Sequence, residues 1–345
     1  RVYLGSKKSI FSLLKNKKEK NSRAGIFFYK GQFINQYSSM KKFVSDTCEK
    51  FVVLDEELGV AVKDYNYEIN KRLKNIENIN QFYCIGKKVS DLIKKRRKSL
   101  SKKIYITGWP RIDLWSPKFN KLYKFEVDEI RRKYGDYYLF TSDFTTVSRI
   151  GLNKILNQTK KTKPYKFKVK TFVKSYKDYL EFKVFIKKLA LSLKKKIIIR
   201  PHPADIYHSN WFNDFKYSKN IKVIYKDDIT PWILGCSGLI HRGCTTAIQA
   251  HFSKKPVYYW KSKQKLEKKD KLIPYQISEK FRTIVNFHKI IKNKKNRKLN
   301  LKNNNINKEI LIQDKINACQ MIIKNMKKLK VKKKNRFKKD NINYL

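Results

Sequence analysis

Short apolar runs alternate along this chain with longer, lysine-rich amphipathic stretches, and that rhythm constrains the fold more than any other feature. The runs are Gly25–Tyr29, Phe51–Leu54, Gln81–Ile85 and Ile104–Thr107, then Tyr137–Thr141, Lys196–Arg200, Ile221–Tyr225, Gly238–His241 and Pro256–Tyr259. Each has strand length and is bounded by turn residues. Helical spacing fills the gaps, as at Ser38–Glu49, Val89–Arg97, Asp178–Leu193 and Thr245–Phe252. Strand–helix alternation predicts an α/β protein with parallel sheets covered on both faces. At 345 residues the chain suits two such domains better than one.

The segment Gly108–Asn120 carries two prolines and two tryptophans without periodicity, and reads as the hinge. The expected organisation is therefore an N-terminal domain at 1–118, a C-terminal domain at 119–291, and a basic helix and tail at 292–345. Within that last part, Asn307–Met326 keeps a helical face of Ile310, Ile316, Met321 and Ile323. The opening residues RVYLGS read as a strand already under way, so the first domain is expected to lack its start.

Hydrophobic residues make up 41% and aromatics 14%, enough for a sizeable core, which argues against a disordered chain. There is no apolar run of about 20 residues and no signal-peptide pattern. Cys48, Cys84, Cys236, Cys244 and Cys319 are scattered and odd in number. They fit neither a disulfide framework nor zinc-ligand spacing, and suit a reducing cytoplasm. The net charge of +55 admits three readings: nucleic-acid binding, attraction to an anionic membrane surface, or a bias toward Lys, Asn and Ile throughout. Lysines occur in every segment and no nucleic-acid-binding motif accompanies them, so a nucleic-acid partner is not expected.

Chemistry concentrates where strands end. IIIRPHP (197–203) places Arg200 and His202 after a buried-type strand, with Pro201 and Pro203 holding the turn rigid. Ligands of open α/β sheets lie beyond the carboxyl ends of strands, and a cation beside an imidazole suits phosphate there. LIHRGCTTAIQAHF (239–252) reads strand, tight turn at Gly243, then helix. Thr245 and Thr246 either cap that helix or, with its free N–H groups, hold an anion; His241 and Arg242 add positive character. LDEELG (54–59) brings Asp55, Glu56 and Glu57 after a strand in a chain poor in acids. They are candidates for a general base or for helix-start acids, and chemistry does not choose among them. Arg111 and Asp113 look like an internal pair in the hinge. Ser142 and Asp143 could line a cleft floor, and Trp232 could stack on a base or pack in the core. Asp227–Asp228 sits at a helix start rather than in a metal-binding context.

Taken together, these blocks resemble a bacterial family of surface carbohydrate biosynthesis proteins. Its broader relatives include capsule and lipopolysaccharide Kdo transferases and teichoic-acid glycerophosphotransferases. The resemblance runs in order through GIFFYKG (25–31), DEELG (55–59), GWPRID (108–113), FTSDF (140–144), IRPHP (199–203) and ITPWI…LIHRGCTTAIQA (229–250). It implies a GT-B fold, two Rossmann-like domains with a cleft between them and the donor nucleotide held by the C-terminal one. It implies that Arg200, His202 and Pro203 contact donor phosphate, with His241, Gly243, Cys244, Thr245 and Thr246 completing the pocket. Glu56 or Glu57 would supply the base. The family has Glu where this chain has Gln249, and Gln keeps both donor and acceptor capacity.

The implied activity is metal-independent transfer of a sugar or sugar acid from a nucleotide donor, CMP-linked for a Kdo-like sugar, with no resident cofactor. The acceptor would be a surface polysaccharide or lipid-linked glycan, and the site of action the cytoplasm or the inner membrane face. A glycerophosphotransferase or a sugar-nucleotide epimerase on the same scaffold is the alternative, and a charge-driven nucleic-acid-binding protein the alternative of another class.

Overall fold

In the computed structural model the chain divides into two compact units, Arg1–Asp113 with Asn304–Leu345, and Leu114–Asn303. The structure describes residues 7–19, 24–30, 43–44, 46–56, 58, 60, 67, 69–70, 79–142, 144, 147, 165–203, 211–225, 227–263, 272–293, 306, 309–310 and 316–331. The opening strand read at RVYLGS, along with Glu57 and Asp143, lies outside them. The sequence placed boundaries at 118 and 291; the compact units divide at 113/114 and 303/304.

The first unit begins with α1 (Lys7–Glu19), β1 (Ala24–Lys30), β2 (Cys48–Asp55), β3 (Gln81–Cys84), α2 (Lys87–Arg96) and β4 (Ile104–Ile106). The four strands form one parallel sheet in the order β1-β2-β3-β4. Every residue of β3 is buried, as expected of a parallel strand covered on both faces. Leu14, Phe51, Val53, Phe82, Val89 and Ile93 build the core on one of those faces. The helix read at Ser38–Glu49 is cut short: β2 has begun by Cys48, whose side chain is buried in that core.

The segment read as an aperiodic hinge is helical. It forms α3 (Pro110–Trp115) and a 3-10 helix at Pro117–Tyr123. Both start at proline, whose fixed φ and missing N–H cost nothing in a first turn. Arg111 and Asp113 do not pair with each other. Arg111 turns to Glu56, and the Asp113 carboxylate accepts from the backbone N–H groups of Ala318 (3.2 Å) and Cys319 (3.0 Å).

The second unit continues with α4 (Lys124–Tyr134), β5 (Tyr137–Thr141), α5 (Tyr165–Ser192), β6 (Lys196–Arg200), α6 (Trp211–Phe215), β7 (Ile221–Val223), α7 (Ile229–Gly235), β8 (Gly238–His241), α8 (Thr246–Phe252), β9 (Val257–Trp260), α9 (Ile273–Gln276), β10 (Glu279–Phe281) and α10 (Ile284–Lys292). Its six-stranded sheet is parallel throughout, in the order β10-β9-β8-β5-β6-β7. The chain winds outward from β5 through β6 to β7, then returns to lay β8, β9 and β10 on the other side. The order therefore reverses between β5 and β8. Two cores sandwich this sheet. Phe140, Ile199, Ile240, Trp260 and Phe182 of α5 fill one face; Leu139, Ile198, Leu239, Trp232 and Ala247 fill the other.

The described C-terminal helix, α11 (Ala318–Met326), belongs to the first unit. Asn317 and Gln320 cap each other reciprocally at its start. Gln81 of β3 donates to the Asn325 carbonyl at 3.0 Å. Nearby, a Cβ at Gly86 would fall 1.7 Å from the Glu309 carbonyl oxygen, so only glycine allows the returning chain to lie there.

Candidate functional site

The carboxyl edge of the second sheet, at the reversal between β5 and β8, gathers most of the residues singled out from sequence. Thr141 of β5 stands in register with Arg200 of β6 on one side and His241 of β8 on the other. In-register residues of a parallel sheet point to the same face. Here that face is the one filled by Leu139, Ile198 and Leu239, two residues earlier on each strand. A hydroxyl, a guanidinium and an imidazole thus form one row at the topological switch point, where open α/β sheets leave a crevice.

Arg200 is almost wholly buried, 5% exposed. Its guanidinium donates to the Asp227 carbonyl at 2.8 Å and lies 5.3 Å over the Trp232 ring and 5.7 Å over Tyr225. Burial lowers its pKa from the ordinary arginine value. Asp227 presents its carbonyl from a left-handed conformation, φ 60°, and Asp228 accepts from Thr230 N–H at 2.7 Å to cap α7. Trp232 is buried against Tyr134 and Tyr137, so it supports Arg200 from the core rather than offering a face to a base. His202 and Pro203, just beyond the strand, are exposed.

His241 is fully buried and neutral. Its Nδ1 accepts from Gly243 N–H at 3.0 Å, which leaves the proton on Nε2 to be shared with Ser278 Oγ at 2.7 Å. Ser278 Oγ in turn donates to the Pro274 carbonyl at 2.5 Å. The positive character read for His241 is therefore absent: the ring pins the following turn instead. Gly243 takes φ 128° there, a conformation side chains rarely adopt. Thr245 makes no side-chain cap, and Cys244 Sγ lies 2.9 Å from Thr246 Oγ1. Gln249 donates to Thr230 Oγ1 at 2.8 Å, tying α8 to α7.

Arg242 turns to the opposite face. It pairs with Asp178 of α5 at 2.5 Å, with both groups buried, and sits 4.4 Å over the Phe144 ring. Ser142 continues β5 past its end, donating from its N–H to the Arg200 carbonyl at 3.1 Å, while its Oγ accepts from Phe144 N–H at 3.2 Å.

Thr141 was not singled out from sequence, yet it holds the centre of the row. Its Oγ1 is buried and has no hydrogen-bond partner among the described residues. A buried hydroxyl left unsatisfied costs free energy. Its place as the last residue of the strand before FTSDF breaks into a turn was the available signal.

In the first unit the described acids at the end of β2, Asp55 and Glu56, have partners. Asp55 Oδ1 accepts from Leu58 N–H, three residues on, at 3.1 Å. Glu56 is 5% exposed, with Lys30 Nζ at 2.9 Å and Arg111 Nε at 3.1 Å from Oε2. Among the described residues, no group of three or more His, Cys, Asp or Glu is placed to hold a metal ion.

The chain is similar in structure to the UDP-GlcNAc 2-epimerase of Methanocaldococcus jannaschii, with a TM-score of 0.58 and 14% identity over 94% of this chain and 84% of that one. The fold is GT-B. A structure of the M. jannaschii epimerase in complex with UDP-GlcNAc and UDP gives a TM-score of 0.56 at 14% identity, covering 93% of this chain and 80% of that one. The Neisseria meningitidis UDP-GlcNAc 2-epimerase bound to UDP-GlcNAc gives 0.52 at 13% identity, covering 93% and 80%. No family model and no curated protein sequence matches the chain.

Proposed function

We propose that this GT-B chain is an enzyme that binds a nucleotide-linked sugar at the carboxyl edge of β5, β6 and β8 and transfers the glycosyl group. The acceptor on this reading is a hydroxyl of a surface-polysaccharide or lipid-linked glycan. The observation that carries the reading is the row Thr141–Arg200–His241 at the switch point. It combines a buried cation, an unsatisfied hydroxyl and a turn locked by a neutral imidazole. Arg200 and Thr141 suit the phosphate that leaves with the nucleotide, because charge developing on it meets donors already oriented in a water-poor setting. The bond from the anomeric carbon to phosphate oxygen breaks, the acceptor oxygen bonds to that carbon, and a base takes the acceptor proton. Glu56 and Glu57 are the proposed bases, as the family resemblance implies, and His202 and the 243–246 turn are proposed to complete the phosphate pocket.

One observation favours a second reading, epimerisation of the sugar nucleotide itself. Three structures similar over most of the chain are sugar-nucleotide 2-epimerases. The two reactions differ in their need for an acceptor. NMR of UDP-GlcNAc incubated with the protein alone reports the 2-epimer if the second reading holds, and unchanged substrate if the first does.

Nucleotide binding itself is tested by thermal shift against CMP, CDP, UDP, GDP and their sugar conjugates, with Thr141→Val alongside. One nucleotide class should raise the melting temperature of the wild type, and raise that of the variant by less at the same concentration. A ligand that stabilises both proteins equally would place the pocket elsewhere, and no stabilisation by any of them would remove the proposal.

A further inference from the structure

The long helix α5 buries one side and leaves the other apolar. Phe182, Ile186 and Leu189 are buried in the second unit's core. On the opposite side Val173, Leu180, Val184 and Leu191 are 39%, 39%, 57% and 80% exposed, with Tyr176 beside them at 43%. At about 100° per residue the four aliphatic side chains fall within an arc of about 40°, so they form one straight stripe along the helix. Its flanks are cationic. Exposed Lys177 and Lys188 lie along one side and Lys187 along the other. The acids of this stretch are turned away or occupied: Asp178 is buried with Arg242, and Glu181 accepts from Lys263 N–H at 2.9 and 3.1 Å. No described residue covers the stripe.

We propose that this face of α5 docks on an anionic lipid bilayer. An apolar stripe bordered by lysines is the pattern of a helix lying in the membrane interface, its aliphatic residues among the acyl chains and its lysines at the headgroups. Charge complementarity selects this occupant. A second copy of the chain would oppose lysine to lysine and carries +55 of its own. Nucleic acid would satisfy the lysines but not the aliphatic stripe. No helix among the described residues is long and apolar enough to cross a membrane, so the contact is peripheral.

The test is flotation of the full chain with phosphatidylcholine vesicles, with and without phosphatidylglycerol, for the wild type and the triple variant Leu180→Gln/Val184→Gln/Leu191→Gln. All three positions are exposed and glutamine is a good helix former, so the fold is retained, which circular dichroism checks. The wild type should float with the anionic vesicles and keep part of that binding at about 0.5 M salt, where purely ionic adsorption is screened. The variant should partition about tenfold less and lose its residual binding at that salt. Equal flotation of variant and wild type would show diffuse charge at work and overturn the proposal. So would no flotation at all, or a wild-type dimer that the variant turns into a monomer with vesicle binding unchanged.

Discussion

The two sheets end differently. At the end of β2 in the first unit the described acids have partners, Asp55 the Leu58 N–H and Glu56 both Lys30 and Arg111. At the end of β5 in the second, a buried hydroxyl has no hydrogen-bond partner among the described residues, beside a buried guanidinium. Topology follows the same division. The described strands of the first sheet run in sequence order, whereas the second reverses between β5 and β8. Thr141 Oγ1 is one of several buried polar atoms without a hydrogen-bond partner among the described residues, and the one that stands in register with Arg200 and His241 at the order reversal. Charge alone does not mark a site: Arg242 is as charged as Arg200, yet it is paired with Asp178 in the core.

The largest effect is expected at Arg242–Asp178, a buried pair that joins β8's end to α5. Asp178→Ala leaves a guanidinium buried without its carboxylate, and should cost about 3–5 kcal/mol in urea unfolding of the second unit. The double variant Asp178→Leu/Arg242→Met, which removes both charges, should recover most of the loss. Nucleotide binding lost in the double variant at full stability would move Arg242 into the site.

His251 of α8 gives the second unit a pH dependence. The ring is buried, neither nitrogen has a described partner, and burial pushes its pKa down from 6.5 to about 4. Between those values the unfolded chain binds a proton that the folded one refuses. The contribution is complete above pH 6.5 and is lost as pH falls toward 4, amounting to about 3 kcal/mol. Melting curves from pH 7 to 4 should show this decline in the wild type. His251→Phe should lose that part of it, since a phenyl ring needs no hydrogen bond.

Glu56→Gln sharpens the first unit's side. Both cations that hold Glu56 are about half exposed, at 49% and 47%, and can turn to water. The expected cost is about 1 kcal/mol in urea. A normal fold with turnover abolished would assign Glu56 to chemistry; unchanged turnover would leave it as a clasp between β1, β2 and α3.

Much of this was legible in the sequence. The apolar runs located β1 to β9 because buried parallel strands must be apolar on both faces. β10 escaped because Glu279–Phe281 is short and carries two charges. The division between the units does fall within the hinge segment, at 113/114, but its lack of periodicity hid two short helices that each begin at a proline. Arg200, His241 and Gly243 were found by their place after strands. Their partners were not: Asp178 lies 64 residues from Arg242, and Ser278 lies 37 from His241. No local pattern joins residues so far apart. The neutrality of His241 depends on such a partner, so residue type alone suggested the wrong charge.

Thr141→Val is the smallest change and separates the two sheets most cleanly. Valine matches threonine in shape and removes only the buried hydroxyl, which has no hydrogen-bond partner among the described residues to lose. Stability should therefore stay within about 0.5 kcal/mol or rise, unlike the usual loss when a satisfied hydroxyl is removed. Affinity for the stabilising nucleotide, measured by calorimetry, should fall about tenfold, the worth of one hydrogen bond to a charged group. A structural hydroxyl predicts the reverse, lower stability with affinity unchanged. That result would erase the asymmetry between the two strand edges and leave Arg200 as one more cation placed to hold a turn.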